Sequence, residues 1–301
     1  MTVNQNSDWP SIAGLLGHDV AADMALIGAP MTLGSVSKNA CDEAPGVVRN
    51  ILSRISTYDL ESEIELAGSS IFDAGDVLIA GFSPAEGFAP LVKAIQPLVS
   101  RHPLTAVLGG HNGITRAGVH AVDVALDTVG VLTLDAHFDL RPTAQGLING
   151  NPISALLEDG LSGNHIAQIG LAPFANSKAM HDLAKTEEIS VYTMADCRER
   201  GLDAVISEAL DRLSDRCEYI YVDFDIDVID RALSPGATGG RSGGMTPTEF
   251  FAATRLVASH QKVRAVDLTE FDPNSDIGNI TALIAGRWLA ELLAGLQMRD
   301  W

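Results

Sequence analysis

Short, nearly continuous apolar runs recur along the whole chain. Runs of this kind are typical of parallel strands covered on both faces, because neither face of such a strand meets water. Eight of them predict strands, at 24–28, 71–74, 104–108, 130–135, 166–169, 189–193, 219–224 and 263–268.

Stretches with helical spacing separate most of these runs. The first begins with Ser83-Pro84, a favourable pair of N-cap and first-turn residues. Because strands and helices alternate over the full length, we expect a single α/β domain spanning 1–301. It should have three layers (α/β/α) around a mostly parallel sheet of about eight strands. The helices are predicted at 83–99, 175–185, 201–214, 246–259 and 280–297.

Composition narrows the classes of function. Lys and Arg total 20 against 39 Asp and Glu, a formal net charge of −19, so we expect no nucleic-acid or membrane partner. No apolar run reaches the roughly 18 residues that span a bilayer, and the first residues lack the pattern of a signal peptide. The 3 cysteines show neither disulfide nor zinc spacing, so we expect reduced thiols and a cytoplasmic protein.

Two of the predicted strands end in acidic residues with a period of two. Carboxylates at the end of a buried strand repel each other and are costly to desolvate unless a cation is present. Carboxylates with an imidazole suit a hard to borderline divalent ion, and their number favours two ions that share ligands. The two runs are Asp135-Ala136-His137-Phe138-Asp139 and Asp223-Phe224-Asp225-Ile226-Asp227.

Glycine-rich loops follow the same two strands, at 140–152 and 231–246. In open parallel sheets the carboxyl ends of the strands border the ligand crevice. We therefore expect these loops to form the walls of an active site.

Together these motifs resemble the ureohydrolase family, which comprises arginases, agmatinases, formimidoylglutamases and guanidino-acid hydrolases. The runs at 135–139 and 223–230 carry the resemblance, which covers almost the whole chain. Supporting elements are the segment 44–49, the turn at 109–110 and the segment 267–273. The resemblance implies an arginase-like fold, hydrolysis of a C–N bond in a linear amidine, and a homo-oligomer (trimer or hexamer).

The resemblance also implies two Mn²⁺ ions per subunit, although such ligands also accept ions such as Ni²⁺. Asp135 and Asp225 would bridge the two ions. Asp139 would complete the first ion and carry a proton to the leaving amine. His137 and Asp227 would complete the second ion.

The glycine-rich turn departs from the family pattern, in which a histidine binds the first ion. Here the turn reads Gly109-Gly110-His111-Asn112. An ungapped alignment makes Asn112 the ligand, whereas a deletion of one residue makes His111 the ligand, and we favour Asn112. A neutral amide oxygen is a weaker ligand than an imidazole for a transition ion, so we expect a labile first site.

The loop after the first acidic run departs as well, because Asn149 stands where many arginases and agmatinases have a histidine. Asn cannot shuttle protons, so we expect no arginase-style proton relay. The chain resembles formimidoylglutamases more closely, because they too lack this histidine and share Arg141 and a segment around Asn176. Arg141 and Arg241 are candidates for binding a substrate carboxylate. The resemblance implies that Glu270 accepts hydrogen bonds from the amidine nitrogens. These five residues are the predicted substrate contacts.

The first substrate prediction is N-formimidoyl-L-glutamate, hydrolysed to L-glutamate and formamide. The alternative is a guanidino substrate that releases urea, as in agmatinases, arginases and guanidino-acid hydrolases. An alternative of another class is a catalytically degraded homologue that binds metal weakly and acts as a partner subunit. The departures at Asn112 and Asn149 motivate that last interpretation.

Overall fold

A parallel sheet forms the centre of the molecule in the computed structural model, which describes residues 9–299. Its strands and those of a small hairpin are β1 (Leu16–Gly17), β2 (Met24–Ala29), β3 (Tyr58–Asp59), β4 (Ile64–Glu65), β5 (Ile71–Asp76), β6 (Leu104–Gly109), β7 (Val129–Leu134), β8 (Ile166–Leu171), β9 (Ser190–Thr193), β10 (Tyr219–Asp225) and β11 (Val263–Thr269). Nine strands form the sheet in the order β1-β5-β2-β6-β11-β10-β7-β8-β9, and β3 pairs with β4 in the hairpin. Every neighbouring pair in the large sheet is parallel.

Helices connect the strands and cover the sheet. They are α1 (Ala44–Ile51), α2 (Pro84–Arg101), α3 (Thr115–Val122), α4 (Pro152–Glu158), α5 (Lys178–Thr186), α6 (Met194–Arg200), α7 (Leu202–Ser214), α8 (Pro247–Ser259) and α9 (Ile280–Gln297). None of these helices is long and apolar enough to cross a membrane.

Alternate residues of the central strands enter two separate hydrophobic cores. In β6, Leu104, Ala106 and Leu108 belong to one core, whereas Val107 belongs to the other. Since successive side chains of a strand point to opposite faces, the two cores lie on the two faces of the sheet. The predicted three-layer α/β/α architecture is therefore confirmed, whereas a single domain over the whole of 1–301 stays a prediction.

All eight predicted strands are present in the sheet, and β1 is the ninth. The prediction missed β1 because 2 residues leave no apolar run. It also missed α1, α3, α4 and α6, which have only 7 or 8 residues each and so complete too few turns to show a helical period. The five predicted helices correspond to α2, α5, α7, α8 and α9.

The register of the central strands brings the two acidic runs together. Asp223 in β10 lies opposite Thr133 in β7 and Asp267 in β11. Asp225, two residues further on, lies opposite Thr269 at the end of β11. The carboxyl ends of β7, β10 and β11 therefore meet at one point of the sheet edge.

Candidate metal centre and active site

A cavity of about 200 Å³ opens at the carboxyl ends of the central strands. Its floor is acidic, and its walls come from the two glycine-rich loops and from the segment after β2. The lining residues are Val36, Ser37, His137, Asp139, Arg141, Asn149, Gly150, Asp225, Asp227, Thr238, Gly239, Arg241 and Glu270.

Three of the predicted metal ligands converge at this floor. One candidate ligand atom from each of Asp135, His137 and Asp227 lies within 4.8 Å of the other two. Nδ1 of His137 lies 2.9 Å from Oδ2 of Asp227 and 3.4 Å from Oδ1 of Asp135. Both carboxylates are buried. An imidazole between two buried carboxylates is a ligand set that suits a divalent transition ion.

The electrostatics of this trio show that it needs positive charge. Burial and the neighbouring charge of Asp227 raise the pKa of Asp135 to about 7. Burial alone would lower the pKa of His137, but the charge of Asp227 and hydrogen bonds to Asp135 and Asp227 raise it to about 11. The imidazolium proton thus holds the place of a cation between the two acids.

Asp139 and Asp225 add two more buried carboxylates to the cavity. Burial and the charge of Asp135 raise the pKa of Asp139 well above its usual value. Burial and the charge of Asp227 do the same for the pKa of Asp225. Asp139 also has a backbone φ of 51°, which is rare for a residue with a side chain and is found mainly where the surrounding structure enforces it.

A fifth acid, Asp223, lies deeper in the strand, opposite Asp267. It is only 1% exposed, and its carboxyl interacts with that of Asp267 rather than with an N–H or hydroxyl donor among the described residues. Its neighbour Asp267 accepts hydrogen bonds from the hydroxyls of Thr115 and Tyr221, at 2.8 and 2.6 Å. Burial and the charge of Asp267 raise the pKa of Asp223 well above its usual value.

This donor set fits a pair of divalent cations. An orphaned buried carboxylate is costly in any fold, and several beside each other are tolerated only with compensating positive charge. The carboxylates outnumber the single imidazolium among them, and oxygen-rich sites with one imidazole suit ions of the Mn²⁺ type. The residues that would hold the ions are Asp135, His137, Asp139, Asp225 and Asp227.

The side chains of the two candidate ligands in the glycine-rich turn point in different directions. Nδ2 of Asn112 donates to Oδ2 of Asp139 at 2.6 Å, so this side chain faces the acidic cluster. Nε2 of His111 lies 2.9 Å from the carbonyl oxygen of Leu33, and Nδ1 accepts the backbone N–H of Gly113 at 3.0 Å. Both ring nitrogens of His111 are therefore engaged away from the carboxylates.

Glu270 follows β11 and is held above the cluster by three donors. Its carboxylate accepts the backbone N–H of Asn112 at 2.8 Å, Nδ2 of Asn149 at 3.0 Å and the hydroxyl of Thr238. The residue is 3% exposed and has a φ of 62°. A carboxylate fixed in this way can accept hydrogen bonds only from a ligand placed in a defined orientation.

The predicted substrate contacts divide into two groups. Arg141, Asn149 and Arg241 line the cavity together with Glu270. Asn176 lies outside it, because its Oδ1 accepts the backbone N–H of Phe138 at 2.8 Å and its Nδ2 donates to the carbonyl of Ala136 at 3.0 Å. Asn176 thus holds the backbone of the first acidic run in place.

The second glycine-rich loop lies directly on the metal-ligand candidates. A Cβ atom added to Gly239 would overlap Oδ2 of Asp227 and lie 2.9 Å from Cε1 of His137. Only a residue without a side chain allows the loop to approach this closely. The loop therefore covers one side of the trio.

Three lining residues escape sequence reasoning. Val36 and Ser37 belong to the irregular segment after β2, which shows no motif, and Thr238 is one small residue in a loop of many. The glycine-rich composition indicates the loop, but nothing in the sequence indicates which of its residues contacts Glu270.

The chain is similar to known proteins over most of its length. Residues 22–295 match the Arginase family. A formimidoylglutamase from Halalkalibacterium halodurans is 35% identical over 277 residues, which cover 90% of this chain and 86% of the relative.

Solved structures give the same picture. The crystal structure of formimidoylglutamase from Bacillus subtilis superposes with a TM-score of 0.93 at 29% identity, covering 100% of this chain and 96% of that one. The structure of Trypanosoma cruzi formiminoglutamase with Mn²⁺ superposes with a TM-score of 0.87. At 22% identity, with 97% of this chain and 100% of that one covered, the latter establishes likeness of fold.

Proposed function

Since this chain belongs to the arginase family, we propose that it is a binuclear manganese hydrolase that cleaves N-formimidoyl-L-glutamate into L-glutamate and formamide. The observation that carries the proposal is the convergence of buried carboxylates and one imidazole beneath a cavity whose mouth holds two arginines. The formimidoylglutamases that it resembles supply the substrate class.

The family resemblance supplies the assignment of the metal ligands. Asp135 and Asp225 would be shared by two ions, with Asp139 and Asn112 on the first ion and His137 and Asp227 on the second. This assignment is supported by the trio of Asp135, His137 and Asp227 and by the contact of Asn112 with Asp139.

Coordination by Asn112 requires a half-turn of its amide. At present Oδ1 lies 2.7 Å from the hydroxyl oxygen of Thr115 and 3.3 Å from that of Thr269, while Nδ2 faces Asp139. After the half-turn, Oδ1 faces the acidic cluster and Nδ2 can donate to the two hydroxyl oxygens, since each hydroxyl also has acceptor lone pairs. We leave His111 out of the ligand set because its ring nitrogens contact Leu33 and Gly113 instead.

The chain's own residues orient the substrate and move the proton. When bound, two divalent ions lower the pKa of a water molecule toward neutral pH. Glu270 accepts hydrogen bonds from the amidine N–H groups and so presents the planar carbon to the cluster. Asp139, buried at the floor, is placed to pass a proton to the departing amine as the C–N bond breaks and a C–O bond replaces it.

The two arginines supply the contact for an acidic tail. Arg141 and Arg241 line the mouth of the cavity, and neither forms an ion pair with a carboxylate of the described residues. Within residues 9–299, the guanidinium of Arg241 donates only to the carbonyls of Gly239 and Gly240. In a chain with a net charge of −19, two arginines without an acidic partner favour a ligand that brings its own carboxylates.

We also propose a cytoplasmic location and a homo-oligomeric state. The three cysteines are free and buried, which is typical of a reducing compartment. Family resemblance alone supports the oligomer.

Product analysis tests the proposed reaction. Purified protein loaded with Mn²⁺ should release formamide from N-formimidoyl-L-glutamate and no urea from arginine, agmatine or a guanidino acid. In Glu270→Gln, kcat/KM should fall by about 100-fold or more while the metal content stays the same, because Glu270 touches substrate rather than metal. Exposed Glu199→Gln serves as the control that leaves both unchanged. Urea from a guanidino substrate without formamide release would overturn the assignment.

A further inference from the structure

The geometry points to one wall of the cavity, the segment 31–37, whose position is fixed by His111 and Asn149. Both residues stand at departures from the family's sequence pattern, and both are bonded to this one segment. We infer that they are positioning residues which set how tightly the substrate is held. The kinetic part of this inference rests on the proposed function.

The wall segment approaches the glycine-rich turn along its backbone. The N–H of His111 donates to the carbonyl of Met31 at 3.0 Å, and the N–H of Gly110 donates to Ala29 at 2.9 Å. A Cβ at Gly110 would overlap the backbone of Met31, so only glycine permits this contact. The first residues of the wall therefore rest directly on the turn that carries Asn112.

The ring of His111 connects the glycine-rich turn to the wall segment through hydrogen bonds at both of its nitrogens. Nδ1 accepts the N–H of Gly113, so Nε2 carries the proton and donates to the carbonyl of Leu33 at 2.9 Å. The ring is 0% exposed, whereas Leu33 is 52% exposed. A buried, fully bonded imidazole thus fixes the backbone at Leu33, whose own side chain is exposed.

Asn149 holds the other end of the wall and connects it to Glu270. Its backbone N–H donates to the carbonyl of Gly34 at 3.2 Å, and its Oδ1 accepts the N–H of Val36 at 2.8 Å. Its Nδ2 donates to Glu270 at 3.0 Å. One amide therefore ties the wall to the carboxylate that orients the amidine.

The consequence for the substrate follows from what the wall presents. Val36 and Ser37 line the same cavity as Arg141 and Arg241. If the wall moves outward, the space for the substrate tail widens while the acidic cluster keeps its shape. Binding should then weaken more than the chemical step slows.

Two substitutions remove the hydrogen bonds to the wall segment in different ways. Asn in place of His111 can still accept the N–H of Gly113, as Asn commonly does two residues on, but it is too short to reach Leu33. His111→Asn therefore removes the hydrogen bond to Leu33 and keeps the one that stabilises the glycine-rich turn. Asn149→Ala removes the contacts with both Val36 and Glu270. Lys38→Ala, at an exposed residue next to the wall, is the matched control.

Hydrogen exchange and kinetics together test the inference. In His111→Asn and Asn149→Ala, exchange of the Val36 amide should accelerate about tenfold or more, whereas Lys38→Ala should not change it. KM should rise about tenfold in His111→Asn with kcat within about twofold, and Asn149→Ala should lower kcat as well. Two ions per chain should be retained in every variant.

Each contrary result has its own meaning. If the Val36 amide exchanges at the wild-type rate in both variants, His111 and Asn149 do not fix the wall segment, whatever substrate the enzyme hydrolyses. Loss of one metal ion in His111→Asn overturns the inference too, because His111 would then be a ligand. If the wild-type protein releases no formamide while the exchange result holds, the proposed substrate fails and the structural role of the two residues stands.

Discussion

Individual residues in this site are held in conformations that the local sequence disfavours. Asp139 and Glu270 both have positive φ angles, at 51° and 62°, which cost energy for residues with a side chain. Each is buried and has a bonded carboxylate, so the surrounding contacts offset the strain. These are the two residues to which we assign contact with the reacting atoms.

A residue-scale prediction concerns the choice of first-site ligand. Asn112→His places an imidazole where the amide contacts Asp139, and imidazole is the stronger ligand for a transition ion. Loss of the first ion to a chelator should slow by about tenfold or more, measured by stopped-flow release of Mn²⁺.

A different result would identify His111 as the ligand of the first ion. Unchanged metal release in Asn112→His, together with metal loss in His111→Ala, would show that His111 is the ligand and that the alignment contains a deletion. Retention of both ions in His111→Ala agrees with the contacts of its ring to Leu33 and Gly113.

At the scale of elements, strand register explains why the proposed metal ligands meet although they are far apart in sequence. β7, β10 and β11 are neighbours in the sheet, and the backbone of Asp135 continues the ladder by donating to Ile169 at 3.0 Å. Because the strands are parallel, their carboxyl ends lie at one edge, and each acidic run enters the same space.

Sequence patterns reveal some elements and not others, for physical reasons. Long buried strands such as β10 leave a continuous apolar run. The predicted N-cap Ser83 does precede α2, and its side chain forms a capping box with Glu86. Helices of two turns, such as α4, leave no periodic signal. The ligand candidates stand out because their charge interrupts apolar sequence, whereas Val36 and Thr238 owe their position to tertiary contacts alone.

An element-scale prediction tests how closely the second glycine-rich loop covers the site. Gly239→Ala should weaken binding of the second ion, because the new methyl group would overlap Asp227 and crowd His137. The neighbouring Gly240→Ala is the matched control, since its Cβ would lie no closer than 3.5 Å to any side chain. Metal titration of both variants, with thermal unfolding as a check on folding, makes the comparison. Equal metal affinity in the two variants would contradict the close approach.

At the scale of the whole molecule, the acidic cluster links stability to pH and to metal. Folding raises the pKa of Asp135 from 3.8 to about 7 and that of His137 from 6.5 to about 11. A group with a raised pKa stabilises the fold fully below its unfolded pKa, and that contribution is lost as the pH rises through the folded pKa. Between pH 5.5 and 8.5, the stabilising contributions of Asp135 and His137 should therefore shrink, and the free energy of unfolding of the metal-free protein should fall as the pH increases.

Manganese should reverse this trend because it takes the place of the protons. The rise in Tm on adding Mn²⁺ should be larger at pH 8.5 than at pH 5.5, by about 3 °C or more, which corresponds to roughly 1 kcal/mol for a chain of this size. Burial lowers the pKa values of His102 and His260. Their effect on Tm is the same with and without Mn²⁺, so it cancels when the two Tm values are subtracted. Equal stabilisation at both pH values would contradict the coupling.

The central claim is that the carboxylates gathered at the ends of β7 and β10 grip two divalent cations. The most direct measurement is an anomalous difference map from crystals of the Mn²⁺-loaded protein. We expect two peaks per chain, contacted by the side chains of Asn112, Asp135, His137, Asp139, Asp225 and Asp227. A map without peaks among these side chains, from protein that is folded and exposed to ample Mn²⁺, would contradict the claim.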